Sequence, residues 1–342
     1  MCDDNNKDWY DPDGWDDGSS DPNNPFIHDD METPFYENPR PRPVKYSNPP
    51  KNLFDSPKSI FEYLDSKVYG HQEFKRQLAF FVWQIKHGHH PAALLIAGNS
   101  GEGKTETIRA LQKIYRNIAV TDGASITPQG YKGNNKLASA MNLLDMNNPA
   151  QPPIFVIDEV DKLILRQGWT DTELTGELLK LMEDGVLDIS VNDREQKFIS
   201  TENVSFILLG SFSHLTDQME SKPIGFNASI GDSNTPRRKT LTVDMVKETL
   251  SPELQGRIGN IVVLDPFEQK DFERILRDER YSPIYRFERE YHLHIHLKPG
   301  KRKQIAASAF QNRTGVRSMT NEIARCLMNA LFEDPETKEI NI

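Results

Sequence analysis

The chain has 342 residues, of which 37% are hydrophobic and 27% are charged. This composition is ordinary for a globular protein and the length allows two domains, so we expect any disorder to be local. The formal net charge is −10, and the first 40 residues account for all of it, with two basic residues against twelve acidic ones. The rest of the chain holds 39 of the 41 basic and 39 of the 51 acidic residues. A neutral body excludes a whole-protein field that would attract nucleic acid or an anionic membrane.

The first segment, residues 1–52, is rich in Asp, Asn, Pro and Gly and shows neither helical nor strand periodicity. Such a segment cannot bury enough apolar surface to offset the entropy lost on ordering, so we predict a disordered acidic tail. Its aromatic residues leave two interpretations open, a docking segment or a simple solubilising tail. These aromatic residues include Trp9, Tyr10, Trp15, Phe26 and Phe35.

The start of the chain lacks the basic and apolar regions of a signal peptide, and no apolar run approaches the roughly 18 residues that span a bilayer. We therefore expect a cytoplasmic protein without a membrane partner. Cys2 and Cys326 are the only cysteines, which argues against a disulfide framework and against a zinc site built from cysteines.

Apolar segments of strand length alternate with amphipathic helical patterns from residue 53 onwards. This alternation predicts an α/β fold with a mostly parallel five-stranded sheet that is covered by helices on both faces. After residue 265 the pattern changes to helices around one short strand at 291–297, so we predict a large domain over 53–265 and a small, mainly helical domain over 266–342. The five predicted strands are 92–98, 117–123, 154–158, 204–210 and 261–264.

The first strand is followed by the sequence GNSGEGKT, which matches the phosphate-binding pattern G-x-x-x-x-G-K-[ST]. Glycines let backbone N–H groups curl around phosphate oxygens, and the helix that follows points its positive end at the same anion. Lys104 would reach the β and γ phosphates of ATP, and the hydroxyl of Thr105 would hold Mg²⁺. The residues predicted to bind nucleotide here are Gly98, Asn99, Ser100, Gly101, Glu102, Gly103, Lys104, Thr105 and Glu106.

A pair of acidic residues follows the apolar segment IFVI, where ligands of open α/β sheets bind. Asp158 would complete the Mg²⁺ shell, and Glu159 would orient and deprotonate the attacking water. Together with the phosphate-binding loop, the pair predicts ATP hydrolysis.

From about residue 60 to its end, the chain resembles the AAA+ ATPases, and within them the Clp unfoldases of the ClpX type. The segment VYGHQEFKRQLA is similar to the one that packs on adenine in that family, which implicates Val68 and Tyr69. The stretch from residue 178 to 212 is similar to the family's second pore loop and sensor-1 strand. It assigns sensor 1 to Ser211, where Clp proteins often carry Asn; a hydroxyl group can bond the γ-phosphate or the attacking water, but it reaches less far.

Two arginines are identified by the same resemblance. SPELQGRIGNIVVLDPF resembles the arginine-finger segment, which implies that Arg257 reaches a neighbouring subunit's γ-phosphate and makes hydrolysis depend on assembly. TGVRSMTNEIARCLMNAL resembles the sensor-2 motif, which implies that Arg317 touches the nucleotide of its own subunit.

Two loops are identified as sites for macromolecules. The segment around GYKG is similar to the aromatic pore loop, which implies that Tyr131 and Lys132 surround the channel of a hexameric ring and that Tyr131 grips unfolded polypeptide. The segment KPIGFNASI resembles the loop that docks on a ClpP-like peptidase, and Ile224, Gly225 and Phe226 would form the anchor. The family's N-terminal zinc-binding domain is not expected, because no cysteine cluster exists.

Two groups of histidines, 87–90 and His292, His294 and His296, have spacings that could suit a metal. No nearby Cys or acid completes an obvious set, so we expect a solvated strand face for the second group.

We predict a homo-oligomeric ATPase that unfolds and threads protein through a ring, with ATP and Mg²⁺ as cofactors. Three alternatives remain open. The chain could be a remodelling ATPase without a peptidase, or a scaffold that uses nucleotide only to assemble. It could also be a nucleic-acid motor or clamp loader whose channel uses Lys132 and Arg194, although the neutral body makes nucleic acid the less expected partner.

Overall fold

The computed structural model describes residues 52–127, 137–165, 169–183, 185–188, 198–217, 240–312 and 314–342. Several predictions fall outside these residues: the acidic tail up to residue 51, the pore-loop residues Tyr131 and Lys132, the alternative channel residue Arg194, and the anchor Ile224, Gly225 and Phe226. None of the described helices is long and apolar enough to cross a membrane.

The described strands are β1 (Ala93–Ala97), β2 (Ile118–Asp122), β3 (Ile154–Asp158), β4 (Val186–Asp188), β5 (Phe198–Ser200), β6 (Ser205–Gly210), β7 (Ile258–Val263), β8 (His294–His296) and β9 (Glu339–Asn341). The described helices are α1 (Pro57–Asp65), α2 (Gln72–Lys86), α3 (Lys104–Gln112), α4 (Leu137–Met141), α5 (Val160–Ile164), α6 (Trp169–Met182), α7 (Ser213–Asp217), α8 (Val243–Glu248), α9 (Pro252–Arg257), α10 (Gln269–Arg277), α11 (Pro283–Tyr291), α12 (Pro299–Gln311) and α13 (Val316–Glu333).

Within the described residues, five strands form one sheet in the order β2-β3-β6-β1-β7, and each neighbouring pair is parallel. The predicted α/β fold is therefore confirmed. Because all five strands are parallel, their carboxyl ends meet at one edge of the sheet, where loops can converge on a ligand.

Both faces of the sheet are covered, which explains why its strands are almost continuously apolar. Along β1, Leu94 and Ile96 belong to a core with α1, α2 and α3, whereas Ala93 and Leu95 belong to a core with α5, α6 and α9. Side chains alternate between the two faces of a strand, so one five-residue segment contributes to two cores. This double burial fixes β1, and with it the loop that follows.

The chain after residue 266 contributes a third core, formed mainly by α10, α11, α12 and α13. Here β8 pairs in parallel with β9, a strand that the sequence analysis did not predict. His292 ends α11 in a left-handed conformation, so the expectation that it shares a strand face with His294 and His296 was wrong. The latter two are exposed on either side of the buried Ile295. The domain boundary at residue 265 stays a prediction.

A short antiparallel pair, β4 and β5, precedes β6 and was also not predicted. The hydroxyl of Thr201, directly after β5, contacts Gly185, directly before β4. It accepts from the N–H of Gly185 at 3.1 Å and lies 3.1 Å from the Gly185 carbonyl. Val186 and Phe198 are exposed on this pair.

Candidate functional site

The loop between β1 and α3 has the backbone of a phosphate-binding turn. Gly101 and Gly103 have φ angles of 77° and 91°, which are favourable only for glycine. At the start of α3 the Lys104 side chain lies under the loop, where its Nζ donates to the carbonyl oxygens of Gly98 at 2.5 Å and Asn99 at 2.8 Å. The lysine is therefore fixed at the positive end of a helix, where an anion binds favourably.

Lys104 is only 7% exposed, and burial lowers the pKa of its ammonium group. Four carboxylates act in the opposite direction, with Glu102 first, followed by Asp158, Asp161 and Glu159. A buried ammonium group among carboxylates is a strong local positive charge that a phosphate group can share.

The carboxyl end of β3 lies beside the start of α3. The hydroxyl of Thr105 donates to Oδ2 of Asp158 at 2.7 Å, and the N–H of Glu159 donates to Oδ1 of Asp158 at 2.9 Å. Glu159 itself is exposed and has a φ of 52°, an unusual conformation for a residue other than glycine. Backbone strain of this kind is often found at functional sites.

A carboxylate that the sequence analysis missed holds the end of β6. Asp161, 1% exposed, accepts from the N–H of Ser211 at 3.0 Å, from the hydroxyl of Ser211 at 2.9 Å and from the N–H of Phe212 at 3.2 Å. Its place three residues after Asp158 was a visible signal, but an acid in the first turn of a helix is common and indicates no partner.

The amino end of α13 lies against the phosphate-binding loop. The N–H of Val316 donates to the carbonyl of Gly101 at 3.1 Å. A Cβ atom at Gly315, where φ is 60°, would lie 2.5 Å from that same carbonyl oxygen, and one at Gly101 would overlap the carbonyl of Thr314. Two glycines therefore let the two backbones touch, and Arg317 follows at once.

These elements enclose a cleft of about 1040 Å³, large enough for a nucleotide. Of the predicted residues, it is lined by 100–106, Val68, Tyr69, Asp158, Glu159, Ser211 and Arg317. Gly98 and Asn99 lie behind the loop, where their carbonyls contact Lys104.

Tyr69 also connects the cleft to the third core. Its hydroxyl donates to Asp271 at 3.0 Å, and its ring packs on Phe267 and Tyr281 at centroid distances of 5.8 and 5.6 Å. The neighbouring Val68 is buried, and its carbonyl accepts from the buried ammonium group of Lys75 at 2.9 Å.

Arg257 does not line this cleft. It ends α9, and its guanidinium donates to the carboxylate of Glu183 at 2.6 Å, with both side chains about half exposed. Among the described residues, no group of three or more His, Cys, Asp or Glu is arranged to hold a metal ion.

A phosphate-binding loop, an acidic strand end and a helix of the third core around one cleft define the class of P-loop nucleotide-binding proteins. The family model described as AAA domain (Cdc48 subfamily) matches residues 89–261, about half of the chain. The chain belongs to this family, and it is an ATPase.

Among known proteins, the chain is similar to ATP-binding subunits of Clp proteases. It is 28% identical to ClpX of Treponema denticola in an alignment that covers 87% of this chain and 80% of the relative. It is 26% identical to ClpX 2 of Wolinella succinogenes and to ClpX of Bacteroides fragilis, each over 83% of this chain and 79% of the relative. The likeness to ClpX-type AAA+ ATPases predicted from the motifs is thus confirmed.

Proposed function

We propose that this ATPase is a protein unfoldase that assembles as a hexameric ring and pulls polypeptide through its pore. The observation that carries the proposal is the cleft in which the loop after β1, Asp158 of β3 and Ser211 after β6 meet Arg317 of α13. A nucleotide bound there would contact both the sheet and the C-terminal core, so its hydrolysis would change how these two parts are held together. The relatives, which are ATP-binding subunits of Clp proteases, support the assignment.

The proposed chemistry is in-line attack of water on the γ-phosphate of ATP. Lys104 binds the β and γ phosphates, and Glu159 accepts the proton of the attacking water. The hydroxyl of Thr105 and the carboxylate of Asp158 would hold Mg²⁺, since oxygen ligands of this kind together with substrate phosphates suit that ion. Bound Mg²⁺ would neutralise phosphate charge. Arg257 of a neighbouring subunit would complete the site.

The hydrogen bond from Ser211 to Asp161 supports a narrower role for Ser211 than the family resemblance implied. A hydroxyl group has one proton, and that proton is donated to Asp161. Ser211 therefore offers lone pairs to the cleft, which suits an attacking water and does not suit a phosphate oxygen. We propose that Ser211 orients the water.

The ring, the pore and the peptidase are argued from sequence. Tyr131 and Lys132 would line the channel, and Ile224, Gly225 and Phe226 would dock on a ClpP-like peptidase. These residues lie outside the described part of the chain.

Unfolding of a stable fluorescent protein with a long unstructured tail tests the proposal. The assay contains ATP and an irreversible trap for unfolded protein. It compares the parent with Tyr131→Ala and with Tyr131→Phe, which keeps the aromatic side chain. We expect fluorescence to fall with the parent and with Tyr131→Phe, and to persist with Tyr131→Ala, while all three hydrolyse ATP. ATP consumption without unfolding of any tail sequence would contradict the proposal, and salt-sensitive binding of DNA or RNA would then favour the nucleic-acid alternative.

A further inference from the structure

Glu102 is a buried carboxylate inside the phosphate-binding loop. Its side chain is 3% exposed, and Oε1 accepts from the side-chain amide of Asn99 at 3.0 Å. Oε2 is buried as well and has no hydrogen bond of good geometry among the described residues, although the backbone N–H of Phe267 acts on the carboxylate. Burial of a carboxylate with so few good hydrogen bonds costs free energy, so stability alone does not explain the residue.

The charge of Glu102 acts on the same groups that bind phosphate. Burial raises the pKa of Glu102, whereas the hydrogen bond from the Asn99 side chain, the positive charge of Lys104 and the backbone N–H groups of Phe267 and Asn99 act in the opposite direction. Glu102 lies two residues before Lys104 and lines the same cleft. The side chain therefore competes with a nucleotide phosphate for the favourable field of Lys104, although the backbone of the same residue belongs to the phosphate-binding turn.

We propose that Glu102 sets the affinity of the site for nucleotide by repelling the phosphate groups, and thereby keeps product release fast. The inference rests on the proposed binding of phosphates at Lys104. The side chain would weaken the binding of phosphate, whereas the surrounding N–H groups and the helix end strengthen it.

The expected size of the effect follows from Coulomb's law. Two like unit charges about 8 Å apart, at an effective dielectric constant of about 20, change a dissociation constant by a factor of roughly thirty. Solvent in the cleft screens part of this repulsion, which reduces the factor. The net expectation for Glu102→Gln is nucleotide binding that is about tenfold tighter.

Calorimetric titration with MgADP, and competition by adenosine, test the inference on the full chain. Glu102→Gln keeps the size of the side chain and removes its charge. We expect MgADP to bind about tenfold tighter than in the parent, with adenosine unchanged because it has no phosphate. Glu73→Gln, which removes an exposed carboxylate on α2, is the matched control and is expected to bind both ligands as the parent does.

Three outcomes would overturn the inference. These are unchanged MgADP affinity, weaker MgADP binding, or an equal gain for adenosine, which would indicate a reshaped pocket. If Glu102→Gln does not fold, Glu102→Met is used with the same criteria.

Lys104→Met separates this inference from the proposed site. If that variant binds MgADP as tightly as the parent does, phosphates do not bind at the loop and the proposed function itself fails. If it loses MgADP binding while Glu102→Gln matches the parent, only the role of Glu102 is wrong.

Discussion

Asp161 accepts hydrogen bonds from both the backbone N–H and the hydroxyl of Ser211, at 3.0 and 2.9 Å. A carboxylate at the start of α5 thus fixes the end of β6. The strand that precedes α5, β3, lies beside β6 in the sheet. Because Asp161 follows the proposed base Glu159 by two residues, the group that would deprotonate the water and the group that would orient it are held by one short helix.

Replacing Asp161 should destabilise the fold and slow hydrolysis. Asp161→Ala leaves three donors of Ser211 and Phe212 without their acceptor, so we expect the free energy of unfolding to fall by roughly 3–5 kcal/mol. Asp161→Asn keeps one acceptor oxygen and should lose roughly 1–2 kcal/mol. Urea denaturation measures the loss of stability, and steady-state ATPase rates measure the slower hydrolysis. A loss for Asp161→Ala no larger than that for Ser211→Ala, about 1 kcal/mol, would show that the backbone donors find other partners.

The contact between the phosphate-binding loop and α13 predicts a sharp difference between two glycines. In Gly315→Ala the new methyl group meets the carbonyl of Gly101 and the backbone is strained, so the helix is pushed away from the loop. We expect at least a tenfold rise in the KM for ATP, since about 1.4 kcal/mol of lost binding is a factor of ten. Gly300→Ala is the control, because a Cβ atom there has open space. Equal KM values for the two variants would contradict this account of the contact.

His71 predicts a loss of stability in acid. Burial lowers its pKa to about 4, against about 6.5 in an unfolded chain. The folded state therefore disfavours the charged form of His71. The resulting contribution to the free energy of unfolding is fully present above pH 6.5 and is lost as the pH falls towards 4. The loss approaches about 3 kcal/mol. His71→Asn removes the titrating group and tolerates the left-handed backbone found there.

Urea denaturation of the parent and of His71→Asn at pH 7.0, 5.5 and 4.5 measures the difference. We expect the free energy of unfolding of the parent to fall relative to that of His71→Asn as the pH falls. Parallel pH profiles for the two proteins would show that His71 titrates alike in the folded and unfolded states.

The proposed action of Arg257 across a subunit boundary predicts complementation. Arg257→Ala lacks the arginine and Glu159→Gln lacks the base, so each protein alone should hydrolyse ATP at a few per cent of the parent rate or less. In randomly mixed rings about a quarter of the sites combine an intact base with an intact neighbouring arginine. We expect an equimolar mixture to recover roughly that share of the parent rate. No recovery in mixtures shown to form joint rings would mean that Arg257 acts only within its own chain, as its pairing with Glu183 would allow.

Local sequence patterns were sufficient for the sheet and for most of the cleft. The strands are short apolar runs between turn residues, and their observed bounds differ from the predicted ones by one residue for β1, β2 and β6, by none for β3 and by up to three for β7. The phosphate-binding loop and the acidic pair are each a short continuous motif at the carboxyl end of a strand. Because the strands are parallel, the two motifs come together at the same edge of the sheet.

Contacts between distant segments could not be read in this way. Asp161 and Ser211 are neighbours only because β6 lies beside β3, and Gly101 meets Val316 only because α13 folds back on the loop. The strands β4, β5 and β9 have three residues each, too few for a periodic signal. The strand β8 lies within the strand predicted at 291–297. Burial of Glu102 could not be predicted either, because a charged residue in a loop is normally exposed to water.

The strand order has a consequence for synthesis on the ribosome. Thr105 and Asp158 lie at the ends of β1 and β3, but β6, which separates these strands in the sheet, is translated after both of them. When β3 has just emerged from the ribosome, the nascent chain contains the phosphate-binding loop and the acidic pair. It still lacks β6, the strand that lies between β1 and β3 in the finished sheet. The ability to bind ATP would arise only once Ser205–Gly210 has been inserted between its neighbours, so nucleotide binding distinguishes a finished sheet from a truncated or stalled product.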